Sequence, residues 1–307
     1  METNPTNKLT IEYQNRWSDK PFYDNSLFNG IDEKVTLHKE LNNLMSSQAA
    51  CLNVFGSLNR SPNDIIRFLN YFSLNITRVI DFPTGVNVDG EIYNDKGPII
   101  FEWIGPRSSP IYERSGSRGI YRTSIDAYLL AEIDNKITQL LIEWKFTENY
   151  SSDAYTHKFT GLEGNERLRR YSSVLAKLRK EKLFPFNFKG KLGLYDFCYE
   201  PYYQLLRMTL LAEMTTPLRL NQDIMVEDYI IVHLMHSENN NLKYLNKSNT
   251  KFSPGLRKYV GRALHDIWGN EILTPAERER FVYGYWNKAL SQLSSSSYKD
   301  YLIERYE

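Results

Sequence analysis

Two periods of apolar residues alternate along the chain. From Lys34 to Gly56 they recur at helical spacing, with Val35, Leu41, Leu44, Met45, Leu52 and Phe55 on one stripe, which predicts an amphipathic helix. Ser61-Pro62 opens a second helix through Ile65, Phe68, Leu69 and Phe72, with proline where a first turn accepts it. Gly97 to Ile104 reads as a strand. The period then becomes two. Ile125, Ala127, Leu129, Ala131 and Ile133 share one apolar face, and Leu140, Ile142, Trp144 and Phe146 share another. Asp134-Asn135 between them tolerates the positive φ of a tight hairpin turn. Further on, helices are predicted over Glu163–Lys182 and Tyr199–Met214, and a short apolar strand over Tyr229–Met235. The remainder is polar, then helical from Leu256, from Thr274-Pro275 with Glu277 at capping-box spacing, and in a Tyr-rich end after Ser294–Ser297.

A two-residue turn at 134–135 makes residues whose numbers sum to 269 direct partners. Ala127 then faces Ile142 and Leu129 faces Leu140, so both apolar faces lie on one side. The other side brings Asp126 opposite Glu143, with Lys145 two residues further on. Like charges directly opposed on a sheet are destabilising, so two carboxylates here call for a cation between them. Lys145 supplies part of that charge, and a divalent metal supplies more. Mg²⁺ suits such a site, and Mn²⁺ can stand in for it, because one or two carboxylates suffice while water and substrate phosphate fill the other positions. The alternative is a solvated hairpin face with an incidental salt bridge.

The chain has 307 residues and a net charge of +1, which excludes a uniformly basic coat. Any nucleic-acid contact must then be local. Residues 167–191 carry nine Lys or Arg against Glu181 alone. Arg167, Arg169, Arg170, Lys177, Arg179 and Lys180 are the candidate phosphate contacts, with Tyr171 and Phe184 interleaved. Two cysteines, Cys51 and Cys198, make neither a disulfide framework nor a zinc pattern, so a reducing, cytoplasmic setting is expected. The first residues lack the basic and apolar regions of a signal peptide, and no apolar run approaches a membrane span. Three segments are expected: an irregular N-terminal extension (1–33), a core (34–240) and a C-terminal helical extension (241–307). His233 and His236, three apart on a strand, fall on opposite faces, which argues against a zinc pair. His38, His157 and His265 have no partner spacing.

The order helix, three strands, helix, strand, with Asp126 on the second strand and Glu143-Trp-Lys145 on the third, resembles the PD-(D/E)XK nuclease superfamily. Ser46–Phe55, Arg122–Ala127, Ile142–Glu148 and Tyr202–Arg207 further resemble a group of uncharacterised bacterial members. The resemblance spans roughly 35–236. It implies an α/β, restriction-endonuclease-like core, a mixed sheet flanked by helices, with additional helices around it. By that resemblance Asp126 and Glu143 bind Mg²⁺, the Trp144 backbone carbonyl is a third metal contact, and Lys145 orients the attacking water. Ile125 stands where the superfamily usually has proline. Gln48 reaches the site or is a satisfied core amide. Gln204 and Arg207 face the catalytic surface or, for Arg207, pair with an acid. Arg122, on the same parity as Asp126, is expected as a phosphate contact, and Glu102 is an extra carboxylate or, as the favoured expectation, a surface residue. The reading is a Mg²⁺-dependent DNA endonuclease, possible as a homodimer for double-strand cuts. The alternative is a nuclease-fold module that binds nucleic acid or protein without cutting.

Overall fold

The computed structural model describes residues 22–307 apart from positions 38, 40, 42, 44, 115, 120, 121 and 150–156. Most of the expected N-terminal extension therefore lies outside the described residues. The centre is a six-stranded mixed sheet: β1 (Arg78–Ile80), β2 (Ile99–Trp103), β3 (Ile125–Ile133), β4 (Lys136–Lys145), β5 (Asp228–Met235) and β6 (Phe281–Tyr285). β1 and β2 lie end to end along one edge of β3, both antiparallel to it. β3 and β4 form the hairpin, with Ala127 opposite Ile142 and Leu129 opposite Leu140 as the turn predicts; Asp134 and Asn135 have φ of 50° and 62°. β5 adds parallel to β4, and β6 parallel to β5.

Helices cover both faces. On one, α1 (Ser47–Leu58), α2 (Pro62–Asn70) and a C-terminal helix, α5 (Ser297–Tyr306), bury Ala127, Leu129, Ile142, Trp144 and Leu234. On the other, α3 (Gly161–Lys180) and α4 (Tyr202–Met214) bury Tyr128, Leu130, Leu141, Tyr229 and Ile231. This is the α/β architecture, a mixed sheet flanked by helices, that the resemblance implies.

Three elements differ from expectation. The first helix starts at Ser47 rather than near Lys34, because the Ser46 hydroxyl accepts the Ala49 N–H at 3.2 Å and caps it there. It also runs past Gly56 to Leu58. Second, the short edge strand β1 was hidden in a stretch with no clear period. Third, residues 281–285 form a strand where a helix was expected. The alternation Phe281, Tyr283, Tyr285 against Val282 and Gly284 is strand-like, and it lines up with Ile231–Met235. Among the described residues no helix is long and apolar enough to cross a membrane.

Gly284 lets β6 pack against Phe72, just beyond the end of α2. A Cβ there would sit 2.4 Å from the Phe72 ring, well inside contact distance. Gly284→Ala is expected to destabilise the fold by about 1–3 kcal/mol, the usual cost of overpacking. Chemical denaturation measures this; an Ala variant as stable as the parent would show that Phe72 yields freely.

Candidate active site

The β3–β4 ladder ends at the Ala127–Ile142 pair. Beyond it the Asp126 carboxylate takes over, accepting the Trp144 N–H at 2.8 Å through Oδ2. Across on β2, Glu102 adopts φ +52°, a left-handed conformation unusual for a non-glycine residue in a strand. Alternation breaks at both positions. Phe101 and Ala127 pack beneath α1, whereas Trp103 and Ile125 pack on the opposite core. Ile125 therefore does not share a face with Ala127, as strict alternation predicted. The break turns Asp126 and Glu102 toward α1, where they line a cavity of about 10 Å³, the space of one water, with Gln48, Cys51, Leu52 and Phe101.

Arg118 holds this kink. Its guanidinium bonds Asp95 at 2.7 and 3.0 Å and Asp32 at 3.2 Å, with all three side chains fully buried. It also donates to the carbonyl oxygens of Phe101 and, at 3.3 Å, Glu102. One cation thus binds the two peptide units on either side of the unusual torsion.

Glu143 and Lys145 lie in the middle of the sheet. Glu143 is 0% exposed, Lys145 5%, and Nζ meets Oε1 at 2.6 Å. The other carboxylate oxygen, Oε2, is buried with no hydrogen-bond partner. Burial pushes Glu143 well above the usual carboxylate range, the charge of Asp126 adds to this, and Lys145 pulls it back only in part. Glu102 is raised to about 7 by burial and by Asp126. It is buried, not at the surface as expected, and its Oε1 accepts from Gln48 Nε2 at 2.9 Å.

Sequence spacing missed two histidines. His233 is the register partner of Glu143 on β5, and its Nδ1 lies 2.7 Å from Nε2 of His265. Burial holds His233 well below its ordinary pKa and His265 down to about 4, so the pair is neutral. His233 Nε2 is a second buried atom without a partner. Only the tertiary fold brings residues 32 positions apart together; no local spacing signals it.

The other candidates separate. The Trp144 carbonyl accepts the Ser47 hydroxyl at 3.2 Å, so α1 already engages it. Arg122 is buried and donates to the carbonyls of Ile104, Pro106 and Arg107 at 2.8–3.0 Å, holding that loop rather than facing Asp126. Arg207 lies over the Tyr203 ring at 4.8 Å. Tyr203 meets Tyr171, whose hydroxyl donates to Glu113, and Glu113 in turn accepts from the backbone and hydroxyl of Thr123. Gln204, one turn earlier, is half-buried beside Glu200, whose carboxylate accepts its N–H. In the basic stretch, Arg167 pairs with Glu163, and Arg169 and Arg170 with Glu166. Those acids fall just before the stretch counted above. Lys177, Arg179 and Lys180 remain exposed in the last turn of α3, where cations complement the helix dipole.

Among the described residues no three His, Cys, Asp or Glu side chains gather as a metal-binding group. Three carboxylates do come near one another, with Asp126 acting electrostatically on both Glu102 and Glu143. Of these, Asp126 and Glu143 suit a cation needing one or two carboxylates with water completing its shell. The unpartnered Oε2 of Glu143 fits such a role, since a cation there would offset the burial and the Asp126 charge that keep this group protonated.

Over residues 2–307 the chain matches the family described as Restriction Endonuclease associating with ARP. No curated protein and no solved structure matches it.

In metal-free buffer folded Glu143 retains a proton to higher pH than in the unfolded chain, where it titrates near 4.5. Folding then takes up a proton above that pH, so this group's contribution to stability falls as pH rises. Glu143→Gln removes the dependence. Its Tm advantage over the parent is expected to widen from about pH 5 to about pH 8 by calorimetry without divalent ions. A gap that does not change with pH would contradict the assigned burial.

Proposed function

The chain belongs to this restriction-endonuclease family, and on that premise we propose that it is a metal-dependent nuclease hydrolysing phosphodiester bonds, most directly of DNA. One observation carries the reading: a fully buried glutamate, half satisfied by a lysine and half unpartnered, beside an aspartate at the end of a strand ladder.

Asp126 and Glu143 would hold Mg²⁺, or Mn²⁺ in its place. When bound, such an ion polarises a phosphoryl oxygen and lowers the pKa of water. The protein's own groups supply the rest. Lys145, tied to Glu143 Oε1, holds a positive charge where the pentavalent phosphorus would gain negative charge. Water attacks phosphorus opposite the leaving oxygen and gives up a proton to solvent, the P–O bond to the leaving oxygen breaks, and the departing alkoxide takes up a proton from solvent. Gln48 and Glu102 fix the α1 side of Asp126, and the neutral His233–His265 pair adds no competing charge beside Glu143. Lys177, Arg179 and Lys180 offer phosphate contacts on α3. The family description adds association with ARP, which we include in the proposal for this chain, together with a cytoplasmic setting and a homodimer for double-strand cuts.

The test is cleavage of supercoiled plasmid, linear duplex and single-stranded DNA with Mg²⁺ or Mn²⁺. Asp126→Ala, Glu143→Gln and Lys145→Ala should each reduce the rate by on the order of a hundredfold or more. Full activity in any one of them would remove that residue from its role. Nucleic-acid binding without cutting on any substrate would favour a non-cleaving module.

A further inference from the structure

The register that places Glu143 also places two tyrosines. Glu143, His233 and Tyr283 are successive partners across β4, β5 and β6, and Lys145, Met235 and Tyr285 form the next row. Paired residues share a face, and adjacent strands are ~4.8 Å apart, so Tyr283 stands about 10 Å along the sheet from Glu143. Gly284 between them faces Phe72 on the opposite side. Both tyrosines are open to solvent despite lying on a sheet strand, at 45% and 39% exposure. The Tyr283 ring stacks on His265 at 4.6 Å and 9°, its hydroxyl donates to Asp266 at 2.6 Å, and Phe281 lies 6.1 Å from it.

Beside them runs a segment of unbalanced charge. Residues 239–265 contain no Asp or Glu. Its strands of backbone are tied at the Tyr244–Ala263 bridge, directly before His265. Lys243 lies 5.6 Å from the Tyr285 ring, and Tyr244 beside it is 56% exposed. Further along, Lys247, Ser248, Thr250, Lys251, Arg257 and Val260 line an open cleft of about 860 Å³. Among the described residues Lys243, Lys247, Lys251, Arg257 and Lys258 make no ion pair, while Arg262 is taken by Glu271. Phe252, next in sequence to Lys251 of the cleft, is 44% exposed with the Lys251 ammonium 5.3 Å from its ring.

We propose that this surface, from Tyr283 and Tyr285 to the cleft of Lys247, Lys251 and Arg257, binds an unpaired nucleic-acid strand and leads it to the Glu143–Lys145 site. The proposal rests on the nuclease reading and narrows its substrate. Exposed aromatic rings beside unpaired cations are what a single strand uses, because its bases are free to stack while its phosphates meet the charge. A duplex keeps its base faces internal and would gain nothing from the rings. The Asp266 carboxylate beside the two tyrosines is engaged by the Tyr283 hydroxyl.

Binding of a labelled strand of about 16 nucleotides, followed by anisotropy with the full chain in EDTA, separates this from cleavage. DNA and RNA strands of one sequence are run beside the DNA duplex, to tell which sugar the surface accepts. The single strand should bind more tightly than the duplex. Tyr285→Ala should weaken it about fivefold or more while Tyr285→Phe retains affinity, as stacking requires. The combined Lys247→Glu, Lys251→Glu and Arg257→Glu variant should flatten the salt dependence by about three phosphate contacts. Unchanged melting temperatures establish that the variants fold. Equal or tighter duplex binding, or a Tyr285→Ala protein with parental affinity, overturns the proposal. Tyrosine-dependent single-strand binding by a protein that cuts nothing would instead keep this surface and dismiss the nuclease reading.

Discussion

A carboxylate with no exposed surface needs a cation, a proton or a set of donors, and Glu143 has only part of one. Lys145 reaches one oxygen; the other has no hydrogen-bond donor and feels the charge of Asp126. The interior strand that carries Glu143 cannot move to relieve this, because β3 and β5 pair with it on both sides over most of its length. The lysine is itself fixed: its carbonyl accepts from the indole of Trp286 at 3.0 Å and from the His236 N–H at 3.1 Å. The deficit is therefore built into a rigid place. Such an arrangement costs stability in the empty protein and is retained where a site has something to bind.

Two buried networks hold the β2–β3 connection beside that place. Arg118, clasped by Asp32 and Asp95, pins the connection to the Glu102 kink. Glu113 pins it on the opposite face, where Thr123, Tyr171 and Tyr203 run in sequence toward Arg207. Buried ion pairs contribute little net stability, but removing one partner is expensive, so they act as locks on conformation. Arg122 and Arg207 read from sequence as ligand contacts because an arginine near an acidic strand looks alike in either role. Here their guanidinium groups are directed at loop carbonyls and a tyrosine ring.

Much of the hairpin was legible because its information is local: a two-residue turn and a period of two determine every pairing from 127–142 to 133–136. The limit of that logic falls at Asp126. Nothing in Ile-Phe-Glu-Trp announces that Glu102 takes a left-handed torsion, since the cause, Arg118, comes 16 residues later and acts through tertiary contact. The same holds for His233 and His265, and for Glu102 as a buried carboxylate. The first helix was drawn too long because Val35 and Leu41 keep its spacing while the Ser46 cap decides where it begins. β6 alternates aromatic against small residues, but its two tyrosines face water, so the alternation does not mark a buried face as it does in β3 and β4.

The origin of β6 has a consequence for how the chain is made. On a ribosome β5 emerges before its neighbour, with residues 236–280 still to follow. During that interval an apolar strand, Tyr229-Ile-Ile-Val-His-Leu-Met235, presents one unpaired edge to every other nascent chain nearby. Delivery of Phe281–Tyr285 closes that edge. Synthesis rate through the intervening segment, or a chaperone's hold on it, would then govern how much of the protein escapes aggregation.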